Sequence, residues 1–202
     1  MPLSSDFVVA VRRAADGFPG PFVIPWPMPG ALGGLVSFDT FERWHAFVAG
    51  LSLHGGIPLI VAAKYARAQK LMLVGWVDPD LMKAAELVGL SALELALRDR
   101  YGSQAEKIYG NMRFGHLLRY MAAHDGLTDD KIAMNQRCGG GTVVGLLTGE
   151  QKPSLADIRN DGAHGDPFDG FPWSGLLELV RDLIEYAYRS SFPPPMEAVV
   201  GS

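Results

Sequence analysis

Apolar positions recur at helical spacing through most of the chain, most clearly from Ile57 onward. Between Pro58 and Val77, Leu59, Ala63, Ala66 and Leu73 fall on one side of a helix, while Lys64, Arg67 and Lys70 return every third residue on another. Asp78-Pro79-Asp80 ends that helix and opens the next, with proline in the first turn and acid at the positive end of the dipole. So short a joint predicts antiparallel neighbours. The following helix, expected over Asp80 to Tyr101, carries two apolar stripes, Leu81-Ala85-Val88-Ala92-Leu95 and Leu90-Leu93-Leu97, and so belongs at the centre of a bundle. A further helix is expected over Gln104 to His124, ended by Gly126.

From Gly126 to Pro153 the pattern weakens to one short helical turn at Asp129 to Met134. Ser154 and Asp157 then have the spacing of a capping box, opening a helix that runs through Arg159 toward His164 and stops at Gly165-Asp166-Pro167. Pro172 opens a last helix with Leu176, Val180, Leu183 and Ala187 on one face, and Arg181, Glu185 and Arg189 are spaced to pair on its wet side. Upstream, Gly17 to Gly34 contains five prolines, which allow neither a helix nor a central strand. Its Phe18, Phe22, Trp26 and Met28 suit an ordered, irregular arm packed on the body, followed by a short helix near Asp39 to Leu51 capped by Ser37 or Asp39. The expected fold is an all-α bundle with a Pro/Gly-rich N-terminal arm. Residues 1–56 form the arm and short helix, 57–192 the helical domain, and 193–202, opening on Pro193-Pro194-Pro195, a flexible tail.

Composition narrows the function classes. A chain of 202 residues that is 48% apolar can bury a core, and a net charge of −4 gives it no overall attraction to nucleic acid or anionic lipid. Cys138 is the one cysteine, which excludes an internal disulfide and a multi-thiolate zinc site and fits a reducing compartment. Phe7 to Val11 is too short for a secretory core, and Arg12 and Arg13 follow it where they should precede it. Ile57 to Val77 is broken by three cations and spans a membrane badly. A cytoplasmic protein is expected.

Arg159-Asn160-Asp161-Gly162-Ala163-His164 carries the sharpest chemical signal. Arginine offers a permanent planar cation to a phosphate and histidine can move a proton near neutral pH, the two capacities that metal-free phosphodiester cleavage needs. On an ideal helix, however, residues five apart sit about 140° apart, so one straight helix does not bring Arg159 and His164 together. Gly162 would have to distort the turn, or a second subunit would have to supply one partner. Asp161 and Asp166 are close in sequence and would suit an imidazolium at a helix C-terminus. The plainer reading pairs Arg159 with a carboxylate and leaves His164 as a cap.

Glu94, a carboxylate in an apolar helix, needs a partner if buried; Arg98 one turn on is the simple one, and a role in a cleft is the other. The Lys64, Arg67 and Lys70 stripe can track a phosphate backbone or be a solvated face. Gly139 to Gly145 lacks the lysine of a phosphate loop and the spacing of a dinucleotide fingerprint. His116 and His124 have no Glu or Cys to complete a metal set, and no serine sits in a nucleophile elbow, so no metal or cofactor is expected.

The Arg159-Asn160-x3-His164 pattern, placed before a final amphipathic helix and after the long Leu90-Ser91-Ala92-Leu93-Glu94-Leu95-Ala96-Leu97 helix, resembles the HEPN domain family over roughly Tyr65 to Tyr188. That resemblance implies an all-α bundle that is commonly a homodimer. In many members the motif residues of two protomers line one cleft that cuts RNA without a metal, while other members are catalytically silent modules that bind a protein or nucleotide. By that resemblance Arg159 and His164 take the catalytic positions and Asn160 the polar one; Glu94, the carboxylate in the apolar helix, and Asp161, beside His164, are supporting candidates on their own chemistry. RNA substrate and a protein partner such as an antitoxin, in a toxin-antitoxin or phage-defence setting, follow as expectations; nothing signals DNA or a membrane.

Overall fold

The structure, a computed structural model, describes residues 3–31, 33–165, 167 and 171–192. Nine α-helices and one two-stranded sheet form a helical bundle among these residues. Asp166 and the expected tail 193–202 lie outside them. No helix of the described residues is long and apolar enough to cross a membrane.

The chain begins with an unanticipated helix, α1 (Ser5–Ala15), whose Val11 and Ala15 are buried one turn apart. The arm that its prolines mark as irregular instead carries an antiparallel hairpin, β1 (Phe22–Pro25) with β2 (Leu35–Phe38), in the register Phe22 to Phe38 and Pro25 to Leu35. Proline is compatible here because each strand of a two-stranded ribbon is an edge and Pro25 ends its own. Helix α2 (Phe41–Ala49) is capped by the Thr40 side chain, which accepts from Arg43 N–H at 3.4 Å, in place of Ser37 or Asp39. Asp39 pairs with Arg43 instead, at 2.8 Å. Trp44 of α2 is fully buried among the rings of Phe22, Phe38 and Phe47 and donates to Leu73 O at 3.0 Å, so the arm joins the same apolar cluster as the bundle.

Helices α3 (Leu59–Val74) and α4 (Leu81–Tyr109) are joined by the short Asp-Pro-Asp turn and pack along one another. Helix α4 is the central element: Leu90, Leu93, Ala96 and Leu97 have no exposed surface. It runs eight residues beyond the expected end at Tyr101, because Gly102 is not a break. A Cβ at Gly102 would come 2.9 Å from the sulfur of Met112, beyond the end of α4, so this glycine admits a close approach of the chain that follows the helix. The break falls at Gly110, whose φ of +73° suits a residue without a side chain. The helix expected over Gln104 to His124 is therefore divided between the end of α4 and a separate α5 (Phe114–Ala123).

The weakly patterned region folds into a short turn at residues 129–131, α6 (Ala133–Cys138) and α7 (Val144–Thr148). The amides of Val143 and Val144 donate to Asp129 Oδ1 at 2.6 and 2.9 Å, so the glycine-rich stretch spends its N–H groups inside the chain. Helices α8 (Leu155–His164) and α9 (Leu176–Tyr188) complete the bundle; α4 packs against α3, α5, α8 and α9.

The expected ion pairs along α9 are not made. Arg181 turns to Asp182 at 2.7 Å and Glu178 at 3.4 Å, Arg189 to Asp125 at 2.7 Å, and Glu185 accepts from His54 N–H at 2.8 Å. Glu178 is buried and ties three parts of the chain together. It accepts from Trp26 Nε1 of the arm at 3.0 Å and from Arg137 of α6 at 2.6 and 3.0 Å, while Arg137 also donates to Pro27 O. Burial raises the Asp182 carboxyl above its ordinary range, against the opposing pull of Arg181 and the Met134 amide.

Candidate functional site

Helix α8 starts as its sequence dictates. Ser154 Oγ accepts from Asp157 N–H at 3.2 Å and Asp157 Oδ2 accepts from Ser154 N–H at 2.9 Å, closing the capping box. The Asp157 carboxyl is held at about 2 by Lys152 first, then by the Ser154 backbone and hydroxyl. A depressed carboxyl stabilises the fold above its unfolded value, and that contribution disappears as pH falls through the folded value. Asp157→Asn is thus expected to lower the urea midpoint at pH 7, with the gap to wild type closing as the pH approaches 2. An unchanged gap at low pH would show that the carboxylate charge is not what holds the cap.

This start aims Ala156, Arg159 and Asn160 at a cavity of about 390 Å³ between α4, α5 and α8. Arg159 donates from Nη2 to Glu94 Oε2 at 2.6 Å and from Nη1 to Asn160 Oδ1 at 3.2 Å. The other Glu94 oxygen accepts from Arg98 Nε and Nη2 at 3.2 and 2.8 Å. Glu94 therefore takes its expected partner Arg98 one turn along its own helix and also Arg159 of α8, which supplies the carboxylate pairing expected for that arginine. Its side chain is 11% exposed and that of Arg159 29%, so one nearly buried carboxylate aligns two guanidinium groups that line the cavity. Beside Arg159 on the helix, Gly162 is set against Leu87 of α4.

Three cavity residues escape a reading by motif: Arg113, His116 and Arg119. They stand three apart at the start of α5, a basic periodicity visible in Arg113-Phe114-Gly115-His116-Leu117-Leu118-Arg119 but without meaning until α5 is placed against α8. Arg119 is held by a hydrogen bond to Thr148 O at 3.0 Å. With Arg98 and Arg159 the cavity gathers four guanidinium groups against the single carboxylate of Glu94, a local charge of +3 on a chain whose net charge is −4. Such a cavity attracts an anion.

The motif histidine is elsewhere. Helix α8 is continuous from Leu155 to His164, so Gly162 does not distort it and the angular separation of Arg159 and His164 stands. His164 is exposed at the end of the helix and does not line the cavity, and Asp161 is exposed beside it, its carbonyl accepting from Gly165 N–H. Lys64, Arg67 and Lys70 lie on α3, away from the cavity, and Lys70 sits over the Phe7 ring of α1 at 5.5 Å. His116 and His124 do share a face, through ring contacts with Tyr109 at 5.0 and 6.3 Å. Among the described residues no group of His, Cys, Asp and Glu could hold a metal ion. Comparison with protein-family models, curated proteins and solved structures finds no match to this chain.

Proposed function

We propose that this chain is a metal-independent endoribonuclease of the HEPN type that acts in the cytoplasm as a homodimer. The observation that carries the reading is the arginine-lined cavity, in which Glu94 presents Arg159 beside the α8 segment that bears the motif. On this reading Arg159 stabilises charge on the scissile phosphate, Asn160 helps to orient it, and His164 transfers a proton at the ribose or leaving oxygen. Because His164 projects away from the Arg159 of its own protomer, the working site pairs the cavity of one copy with the imidazole of another. A protein antitoxin covering the cavity would silence it.

The same separation favours a second reading, a catalytically silent helical module whose cavity binds a nucleotide or an acidic partner. Incubating purified wild type and His164→Ala with single-stranded RNA, alongside the mass in solution, separates the two. The ribonuclease is expected to be a dimer, to cleave without added metal and in the presence of chelator, and to lose cleavage with His164→Ala. Equal cleavage by both proteins would overturn the His164-dependent ribonuclease, and no cleavage across varied RNAs or a strict monomer would favour the silent module.

A further inference from the structure

We infer that the cavity between α4, α5 and α8 is a site for a doubly charged phosphate group, and that His116 is its proton-bearing ligand. The inference deepens the ribonuclease reading, on which the nucleotide nature of the ligand rests, while anion binding stands on the cavity itself.

Charge comes first. Four guanidinium groups against one carboxylate exceed what a singly charged phosphodiester needs, and they match a dianion. A phosphodiester reaches that charge only on the way through its transition state, and a phosphomonoester carries it in the ground state. The cavity also receives the first turn of the ten-residue helix α5, whose N-terminus has no side-chain cap and adds the positive end of a dipole.

The orientation of His116 supplies the second, independent argument. Asn111 Oδ1 accepts from the Arg113 backbone N–H at 3.1 Å, and since that N–H can only donate, the oxygen of this amide is identified. The same oxygen lies 2.8 Å from His116 Nδ1, so Nδ1 must carry a hydrogen and donate it. The ring is further held by stacking on Tyr109 at 5.0 Å. Nε2 makes no hydrogen bond to a described residue. It is left as the lone-pair nitrogen of a half-buried, doubly anchored imidazole that lines an arginine cavity.

The charged and titratable groups around it are Glu94 and Arg98 on α4, Arg113 and Arg119 on its own helix, Arg159 on α8, and Tyr109 at the end of α4. Glu94 is engaged by two arginines, so a bound dianion supplies the counter-charge that lets Nε2 take up a proton and donate it to a phosphate oxygen.

The test is calorimetric titration of the full chain with inorganic phosphate, with uridine 3′-monophosphate, and with a deoxy dinucleoside monophosphate that has no 2′-hydroxyl to react. Nitrogen-15 spectra of the histidine side chains are recorded alongside. Both dianions are expected to bind about tenfold or more tightly than the diester, as one more charge-assisted hydrogen bond implies. His116→Asn keeps a donor for Asn111 but lacks Nε2, and is expected to weaken dianion binding about tenfold with an unchanged melting midpoint. Arg119→Ala is expected to do the same. The His116 spectrum should show Nδ1 protonated in the free protein and both nitrogens protonated when the site is filled.

No binding of either dianion, equal binding of the diester, or undiminished binding by a folded His116→Asn would overturn the inference. Binding without RNA cleavage would leave it standing and remove the ribonuclease; cleavage without dianion binding would do the reverse.

Discussion

Arg159→Ala is expected to lower RNA cleavage by about a hundredfold to a thousandfold, the usual cost of removing one preorganised donor from the place where negative charge develops. The guanidinium is preorganised because Glu94 grips Nη2 at 2.6 Å and Asn160 accepts from Nη1, so it need not be recruited as the reaction proceeds. Arg159→Lys restores the charge but not the planar fork that reaches Glu94 and substrate together, and should recover little of the rate. Stability should change by no more than about 1 kcal/mol, since Glu94 keeps Arg98 and the pair is partly solvated. The two readouts therefore separate chemistry from folding. Wild-type cleavage by Arg159→Ala would move the scissile phosphate out of this cavity.

The largest expected change in stability comes from Glu178→Ala, about 2–4 kcal/mol, read from the urea midpoint at neutral pH. Alanine leaves Trp26 Nε1 without its buried acceptor and the half-exposed Arg137 without its carboxylate, while Arg181 keeps Asp182. Against a total of about 5–15 kcal/mol for an ordinary domain, that loss is severe. Glu178→Gln keeps an acceptor for Trp26 but removes the charge opposite Arg137, and should fall between the two. Because Trp26 belongs to the arm, its fluorescence should change together with the unfolding midpoint. A fall below about 1 kcal/mol would mean that apolar packing around Trp44, and not this carboxylate, fastens the arm.

The long helices were legible because helical spacing is a local property: α3, α4 and α9 follow from where apolar residues recur. The start of α8 was legible for the same reason, Ser154 and Asp157 being three apart and needing only each other. Boundaries were less so. Gly102 and Gly110 read alike along the chain, yet one is packed against Met112 inside α4 and the other ends it in a left-handed turn, a difference made by a neighbour and a backbone angle. The hairpin in the arm is hidden for a related reason, since prolines exclude a central strand but not the edges of a hairpin, and α1, with only Val11 and Ala15 buried one turn apart, leaves a weak periodic trace.

Of the candidate site, the sequence by itself picked out Arg159, Asn160 and Glu94, and helix geometry alone kept His164 away from Arg159. Tertiary structure decided the rest. Arg181, Glu185 and Arg189 had partners available at helical spacing and took others, because packing sets a carboxylate or amide from elsewhere in the chain, or the neighbouring Asp182, in better reach. Arg113, His116 and Arg119 gained their meaning only when the first turn of α5 was set against α8. Local periodicity determines which face of a helix is apolar; which helix ends meet, and so which charges share a cavity, depends on contacts between residues far apart in the chain.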